Sequence, residues 1–236
     1  MIDNVLRIYV GYDPSESIAW HTFVHSVLSR SSQPVAIVPI NLVNLRKIFT
    51  RERDSKQSNE FSFTRFLVPY LSGYNGQAAF FDCDMLLRTD VAELFAYAQS
   101  DPSKAVHVVK HDYKPRDEVK YLNTRQYNYP RRLVFCGTLD CCHPSNRKVT
   151  PEFVNSATAM ELHRFQWLED EEIGSLDIRW NWLVGEYDQP PNDVKNVHWT
   201  VGGPYFNEYR NVDFAEEWFS ENEKVNFCLQ RERIGR

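Results

Sequence analysis

The pattern of apolar and polar positions at the start of the chain predicts an α/β fold. Residues 6–10 alternate in polarity, as strands do, and apolar residues at helical spacing follow over residues 20–28. Asp13 and Pro14 are residue types that begin helices, and we expect Asp13 to be the N-cap. Residues 35–38 then predict a second strand. A strand, a helix and another strand in close succession are typical of an α/β sheet.

A nearly all-apolar segment later in the chain predicts the centre of that sheet. Residues 77–81 read Gln-Ala-Ala-Phe-Phe, and a strand that is apolar on both faces is buried on both. The same patterns predict helices over residues 63–70 and 150–162, and strands over residues 105–109 and 133–135. No internal repeat or low-complexity linker interrupts the chain. We therefore expect a single domain over residues 1–236.

Composition argues against several classes of function. The 236 residues include 27 Lys plus Arg and 32 Asp plus Glu, a net charge of −5, which is unlike a dedicated nucleic-acid-binding protein. No apolar run approaches the roughly 18 residues that a transmembrane helix needs. The five cysteines form no Cys-x-x-Cys pair, and there is no Asn-x-Ser/Thr sequon. These features favour a cytoplasmic protein with reduced thiols, and the early strand pattern predicts no signal peptide.

Charge is unevenly distributed along the chain. Residues 104–132, here called the basic aromatic segment, hold eight Lys or Arg and three acids, interleaved with four tyrosines. Residues 161–177 hold six acids and one Arg. The basic aromatic segment is either a solvated loop or a surface that binds an acceptor, and the sequence leaves both interpretations open.

Two carboxylates directly follow the buried strand. Asp82 and Asp84 are two residues apart, so in extended backbone they point to the same side. The strand carries them to the carboxyl edge of the sheet, where open α/β folds bind ligands. Buried carboxylates must be paired, protonated or bound to a cation, and their oxygens suit Mg²⁺ or Mn²⁺, which would carry a diphosphate. The alternative interpretation is that both residues only form a turn and a cap.

The order of several short motifs resembles the GT-A-fold glycosyltransferases, closest to the retaining, metal-dependent family 8. The motifs are Tyr12-Asp13, Phe63-Thr64-Arg65-Phe66, Phe81-Asp82-Cys83-Asp84 and the late His198. Residues 161–168 and 180–187 also look like uncharacterised bacterial and phage members of that superfamily. The resemblance covers roughly residues 5–210. It implies a GT-A-like (Rossmann-like) α/β fold with a mixed central sheet flanked by helices.

The resemblance also implies an activity and a cofactor. A sugar would move from a nucleotide-sugar donor, with UDP favoured, to a glycan or other hydroxyl acceptor. Asp82, Asp84 and His198 would hold Mn²⁺ or Mg²⁺, and Asp82 would also face the ribose. Asp170, in the acidic segment, would hold the transferred sugar or aid the attack. A solvated acidic face explains Asp170 equally well.

The nucleotide end of the site follows from the same resemblance. Tyr12 and Asp13 would hold the nucleoside, and Arg65 would contact the donor diphosphate or sugar. Gly202 and Gly203 would let backbone amides approach the phosphates.

Departures from the family pattern keep other functions open. The lysine that usually follows the family's histidine is missing from residues 203–206, and residues 135–138 replace its Asn-Ala-Gly segment. The charge that neutralises the phosphates must therefore come from elsewhere, from Arg65 or the basic aromatic segment. One alternative is a nucleotidyltransferase, although residues 11–16 are acidic where such an enzyme carries a basic glycine-rich loop. The other is a catalytically silent sugar- or nucleotide-binding module. The sequence gives no oligomeric state.

Overall fold

A computed structural model describes residues 5–53, 57, 59–111, 119–120, 124–125 and 132–226. The α-helices among them are α1 (Ser17–Arg30), α2 (Leu42–Leu45), α3 (Val68–Leu71), α4 (Ala92–Gln99), α5 (Pro151–Ser156), α6 (Ala159–His163) and α7 (Ala215–Asn226). Short 3₁₀ helices lie at Pro14–Glu16, Thr64–Leu67, Pro144–Lys148, Asp170–Glu172, Ile178–Trp180 and Asn207–Tyr209. No described helix is both long and apolar enough to cross a membrane.

The central sheet has six strands: β1 (Leu6–Tyr12), β2 (Val35–Asn41), β3 (Gln77–Phe81), β5 (Val106–His111), β8 (Arg132–Asp140) and β9 (Ile173–Leu176). Their order across the sheet is β2-β1-β3-β8-β5-β9. Strand β8 runs antiparallel to its neighbours, and the other strands are parallel to one another. The predicted α/β fold with a mixed central sheet is therefore confirmed. β3 lies between β1 and β8 and is buried from Ala78 onward, as its apolar sequence predicts.

A second, three-stranded sheet determines the position of the late histidine. It has the order β10-β11-β4, formed by β4 (Met85–Leu87), β10 (Trp182–Leu183) and β11 (Asn196–His198); a separate pair joins β6 (Val119–Lys120) and β7 (Thr124–Arg125). β11 is antiparallel to β4 with His198 opposite Met85. The Trp199 amide donates to the Asp84 carbonyl at 3.0 Å. This pairing brings His198 next to Asp82 and Asp84, which follow β3.

The core consists of two apolar clusters. The larger one covers both faces of the central sheet, with Phe23, Phe66 and Phe80 among its fully buried side chains. The smaller one lies around the second sheet; its buried members are Leu86, Trp182, Val184, Val194, Val197, Trp199 and Trp218. Trp182 and Trp199, which periodicity alone does not place, therefore pack in the cluster around the second sheet.

The helix predicted over residues 150–162 is two helices. Thr150 caps α5, but Ala157 has extended backbone. Thr158 then begins α6 with a capping box in which Glu161 is the return partner. The Thr158-x-x-Glu161 capping box therefore starts a new helix after the break at Ala157, which a purely apolar pattern does not reveal. Most of the basic aromatic segment lies outside the described residues, so both interpretations of it stay open.

Candidate functional site

The structure brings together the three side chains for which a metal-binding role is expected. Asp82 and Asp84 flank Cys83 between β3 and β4, and each is 6% exposed. His198 Nε2 lies 3.2 Å from Asp84 Oδ1 and 3.7 Å from Asp82 Oδ2. The three residues can offer ligand atoms that all lie within 4.8 Å of one another. The arrangement is a compact site with two oxygen donors and one nitrogen donor.

The donor atoms of this cluster fit a divalent cation. Among the described residues, Asp82 Oδ1 and Asp84 Oδ1 are buried and accept no hydrogen bond. Burial raises the pKa of Asp82, Arg65 lowers it, and the neighbouring Asp84 raises it further. Two carboxylates that share a buried site repel each other unless a positive charge lies between them. Carboxylate oxygens together with a neutral imidazole form a suitable donor set for a metal such as Mn²⁺.

Arg65 belongs to the same cluster. Its Nη1 lies 2.9 Å from Asp82 Oδ1, although only Oδ2 accepts a hydrogen bond, at 3.4 Å. Its Nε donates to the Phe61 carbonyl at 3.2 Å, and its guanidinium lies 5.3 Å from the centre of the Phe61 ring and 5.0 Å from that of Phe80. The two rings therefore hold the buried Arg65 guanidinium beside the carboxylates.

Tyr12 and Asp13 lie at the same edge of the sheet, because β1 and β3 are parallel. Asp13 caps the Pro14–Glu16 turn as predicted: its Oδ1 accepts from the Ser15 amide at 2.9 Å. Its Oδ2 accepts from the Glu60 amide at 3.0 Å. Asp13 thus connects the end of β1 to the segment that leads into the Arg65 helix. The Tyr12 ring is half-buried and contacts the ring of Trp20 edge-on.

Gly202 and Gly203 have a packing requirement that the sequence does not show. A Cβ on Gly202 would lie 2.4 Å from the Tyr209 ring, and one on Gly203 would lie 2.2 Å from the Tyr205 ring. The Gly202 amide donates to the Trp199 carbonyl at 3.1 Å. Both glycines therefore make room for tyrosine rings, and the Gly202 amide is used within the turn that follows His198.

The structure does not bring Asp170 to this cluster. Asp170 is exposed and begins the 3₁₀ turn that leads into β9. β9 is parallel to β5, and Ile173 at the start of β9 is paired with Val106 at the start of β5. Asp170, just before β9, therefore lies at the edge of the sheet where the parallel strands begin. The carboxylates of Asp82 and Asp84 follow the opposite end of β3. Asp170 is therefore separated from them by the length of the sheet, about 13 Å for a four-residue strand.

Asn181 also contacts the cluster, although no motif in the sequence predicts it. Its Oδ1 lies 2.8 Å from His198 Nδ1, and both side chains are buried. The residue lies between Trp180 and Trp182, both also buried. A lone amide in such an apolar segment is the signal that could have revealed it, because a buried polar group needs a partner.

Comparison with known proteins identifies one relative by sequence. No protein-family model matches the chain. Protein CDI of Arabidopsis thaliana is 45% identical over 227 residues, which cover 93% of this chain and 87% of that protein.

Several solved structures similar to this chain are glycosyltransferases. The galactosyltransferase LgtC, in a complex with donor and acceptor sugar analogues, has a TM-score of 0.61 at 10% identity, with 95% of this chain and 98% of that chain covered. GlyE of Streptococcus pneumoniae TIGR4 also has a TM-score of 0.61, at 11% identity, covering 93% of this chain and 60% of that chain. The bifunctional glycosyltransferase WbbM has a TM-score of 0.57 at 14% identity; 95% of this chain spans about half, 51%, of WbbM.

At these identities the structural similarities establish the fold, and membership of family 8 remains a prediction. The sequence similarity to protein CDI establishes that the two proteins belong to one family. The chain has the GT-A glycosyltransferase fold and belongs to the family of Arabidopsis thaliana protein CDI.

Proposed function

We propose that this protein is a metal-dependent glycosyltransferase that moves a sugar from a nucleotide-sugar to a hydroxyl acceptor, with retention of configuration. One observation carries the proposal: Asp82, Asp84 and His198 converge, buried, at the carboxyl edge of a GT-A sheet. Arg65 offsets the charge of one of the two buried carboxylates, and Asp84 Oδ1 accepts no hydrogen bond from a described residue, so the cluster favours a further cation, which at that edge is suited to hold a diphosphate.

The chain's own residues divide the work of holding the donor. Asp82, Asp84 and His198 would hold the ion, and the imidazole among the ligands favours Mn²⁺ over Mg²⁺. When bound, the ion acts as a Lewis acid that neutralises the charge of the departing diphosphate. Arg65 adds a fixed positive charge beside Asp82, without the freedom of a surface arginine. A preorganised charge of this kind costs little reorganisation during the reaction.

The remaining contacts concern the nucleoside and phosphates. Tyr12 and Asp13 follow β1 at the same edge and would contact the nucleoside; UDP is the favoured carrier. Gly203 is the better candidate of the two glycines for a phosphate contact, since the Gly202 amide donates to Trp199. We assign Asp170 no role in transfer, because it lies at the opposite edge of the sheet. The acceptor is a glycan or another hydroxyl compound.

The experiment is a donor screen. The protein is incubated with Mn²⁺ and a panel of nucleotide-sugars, and released nucleoside diphosphate is measured with and without EDTA. We expect release from one donor, its loss with EDTA, and its loss in Asp84→Asn, which removes one charged ligand. Asp170→Asn is the matched control, since it removes an exposed carboxylate of the same type and should leave turnover unchanged.

Other outcomes identify the alternatives. Inorganic diphosphate formed from a nucleoside triphosphate and a sugar phosphate would indicate a nucleotidyltransferase. Nucleotide-sugar binding without turnover, across a panel of acceptors, would indicate a silent binding module. Turnover that is unaffected by EDTA and by Asp84→Asn would refute the metal-dependent reaction.

A further inference from the structure

Asn181 contacts the cluster of Asp82, Asp84 and His198 through the imidazole alone. The residue follows the Ile178–Trp180 turn and directly precedes β10. β10 pairs with β11 so that Leu183 is opposite His198, which brings the Asn181 amide beside the imidazole. Asn181 is fully buried, and His198 is 2% exposed. Their 2.8 Å contact is therefore shielded from water.

We propose that Asn181 is a positioning residue that holds the His198 imidazole as the Nδ1–H tautomer. An amide oxygen can only accept a hydrogen bond, so the Nδ1 that faces Asn181 Oδ1 must carry the proton. A neutral imidazole has one ring proton, which leaves a lone pair on Nε2. That lone pair is directed at Asp82 and Asp84, as a metal ligand requires. The ligand role rests on the proposed function; the tautomer itself does not.

The geometry at Nε2 agrees with this tautomer. Nε2 lies 3.2 Å from Asp84 Oδ1, yet that oxygen accepts no hydrogen bond from any described residue. A proton on Nε2 at such a distance would be expected to reach the carboxylate in hydrogen-bond geometry. Two buried electron-rich atoms that face each other instead leave a place for a cation between them.

The other end of the Asn181 amide argues against a purely structural role. Its Nδ2 is buried and has no hydrogen-bond partner among the described residues. An unpaired buried donor destabilises the fold, so an apolar residue of similar size would pack here more favourably. The hydrogen bond that Asn181 Oδ1 accepts from His198 accounts for an asparagine at this position despite that cost. Partners beyond the metal ligands commonly fix a ligating histidine in this way.

The test compares two buried asparagines. Asn181→Leu removes the acceptor at nearly constant volume. Asn196→Leu is the matched control, because Asn196 is also fully buried and precedes His198 by two residues, but its amide donates to Trp180 and Met85 rather than to the imidazole. Asn181→Asp keeps an oxygen acceptor at the same place.

The first readout uses metal-free protein at a pH of about 8. Long-range ¹H–¹⁵N NMR should show His198 as the Nδ1–H tautomer in wild type and in Asn196→Leu, and a loss of that preference in Asn181→Leu. The second readout is Mn²⁺ affinity, measured by titration. The Mn²⁺ affinity should fall about 10–100-fold in Asn181→Leu. It should equal that of wild type in Asn196→Leu and in Asn181→Asp.

The result that overturns the proposal is an Nε2–H tautomer in wild type. Unchanged Mn²⁺ affinity in folded Asn181→Leu, or an equal loss in Asn196→Leu, also overturns it. If Asn181→Leu does not fold, the wild-type tautomer and the Mn²⁺ affinity of Asn181→Asp decide. An Nδ1–H tautomer in a wild-type protein that binds no Mn²⁺ would support the tautomer assignment while refuting the proposed metal site.

Discussion

Replacing Glu221 with glutamine should destabilise the protein by about 3 kcal/mol at neutral pH. The magnitude follows from the lowering of the Glu221 pKa from 4.5 to about 2 in the folded state, because each tenfold change in an acid constant is worth about 1.4 kcal/mol. The Glu221 side chain, on α7, is 2% exposed, and it lies 2.8 Å from Arg30 Nη2 and 2.6 Å from His25 Nδ1, both on α1. Burial raises the pKa of this carboxyl, but hydrogen bonds from Arg30 and His25 outweigh it and lower the pKa from 4.5 to about 2. Glutamine has the size of the protonated acid and lacks the charge.

The pH dependence of this effect has a definite sign. A carboxyl whose pKa is lowered in the folded state stabilises the fold at pH values above its unfolded pKa. The contribution of Glu221 should therefore be complete above pH 4.5 and should decrease as the pH falls toward 2. The free-energy difference between wild type and Glu221→Gln should shrink over the same range.

Urea unfolding at several pH values measures this difference. Glu223→Gln is the control, because Glu223 is exposed on the same helix and its replacement should cost less than about 0.5 kcal/mol. Equal stability of Glu221→Gln and Glu223→Gln at pH 7 would refute the reasoning. A difference that stays constant from pH 7 to pH 3 would show that packing, and not charge, is responsible.

Two further substitutions test the packing around the site. Asp13→Ser should keep the cap but lose the contact with the Glu60 amide, which costs about 1 kcal/mol in urea unfolding; unchanged stability would contradict it. Titration of the same variant with nucleotide then tests the proposed nucleoside contact. Gly202→Ala should cost about 1–3 kcal/mol and lower the melting temperature by several degrees, because its Cβ would lie 2.4 Å from the Tyr209 ring; an unchanged melting temperature would show that the ring moves freely.

Local pattern was sufficient to predict the elements that carry the carboxylates. The apolar segment that precedes Asp82 predicts a strand buried on both faces, which is β3, and the two aspartates follow that strand directly. His198 is different, because its place depends on an antiparallel pairing between β11 and β4, far apart in the chain. No local periodicity encodes that pairing, so only the order of motifs in the resemblance pointed to it.

Asp170 and Asn181 illustrate which features of the site a residue pattern does not specify. An acidic segment has the same composition at either edge of a sheet, and only the direction of β9 places Asp170 away from the cluster. Asn181 contributes a single hydrogen bond from a short turn, which leaves no periodic signal. Both outcomes depend on chain direction and long-range contact, which residue patterns do not specify.

We propose that Asp82, Asp84 and His198 hold a divalent metal that binds a nucleoside diphosphate. The most direct measurement is anomalous diffraction at the manganese edge from crystals grown with Mn²⁺ and UDP. We predict one strong peak within coordination distance, about 2.0–2.5 Å, of a carboxylate oxygen from each aspartate and of His198 Nε2, with diphosphate oxygens completing the coordination. A peak beyond reach of His198, or bound UDP without manganese at these residues, would contradict the account.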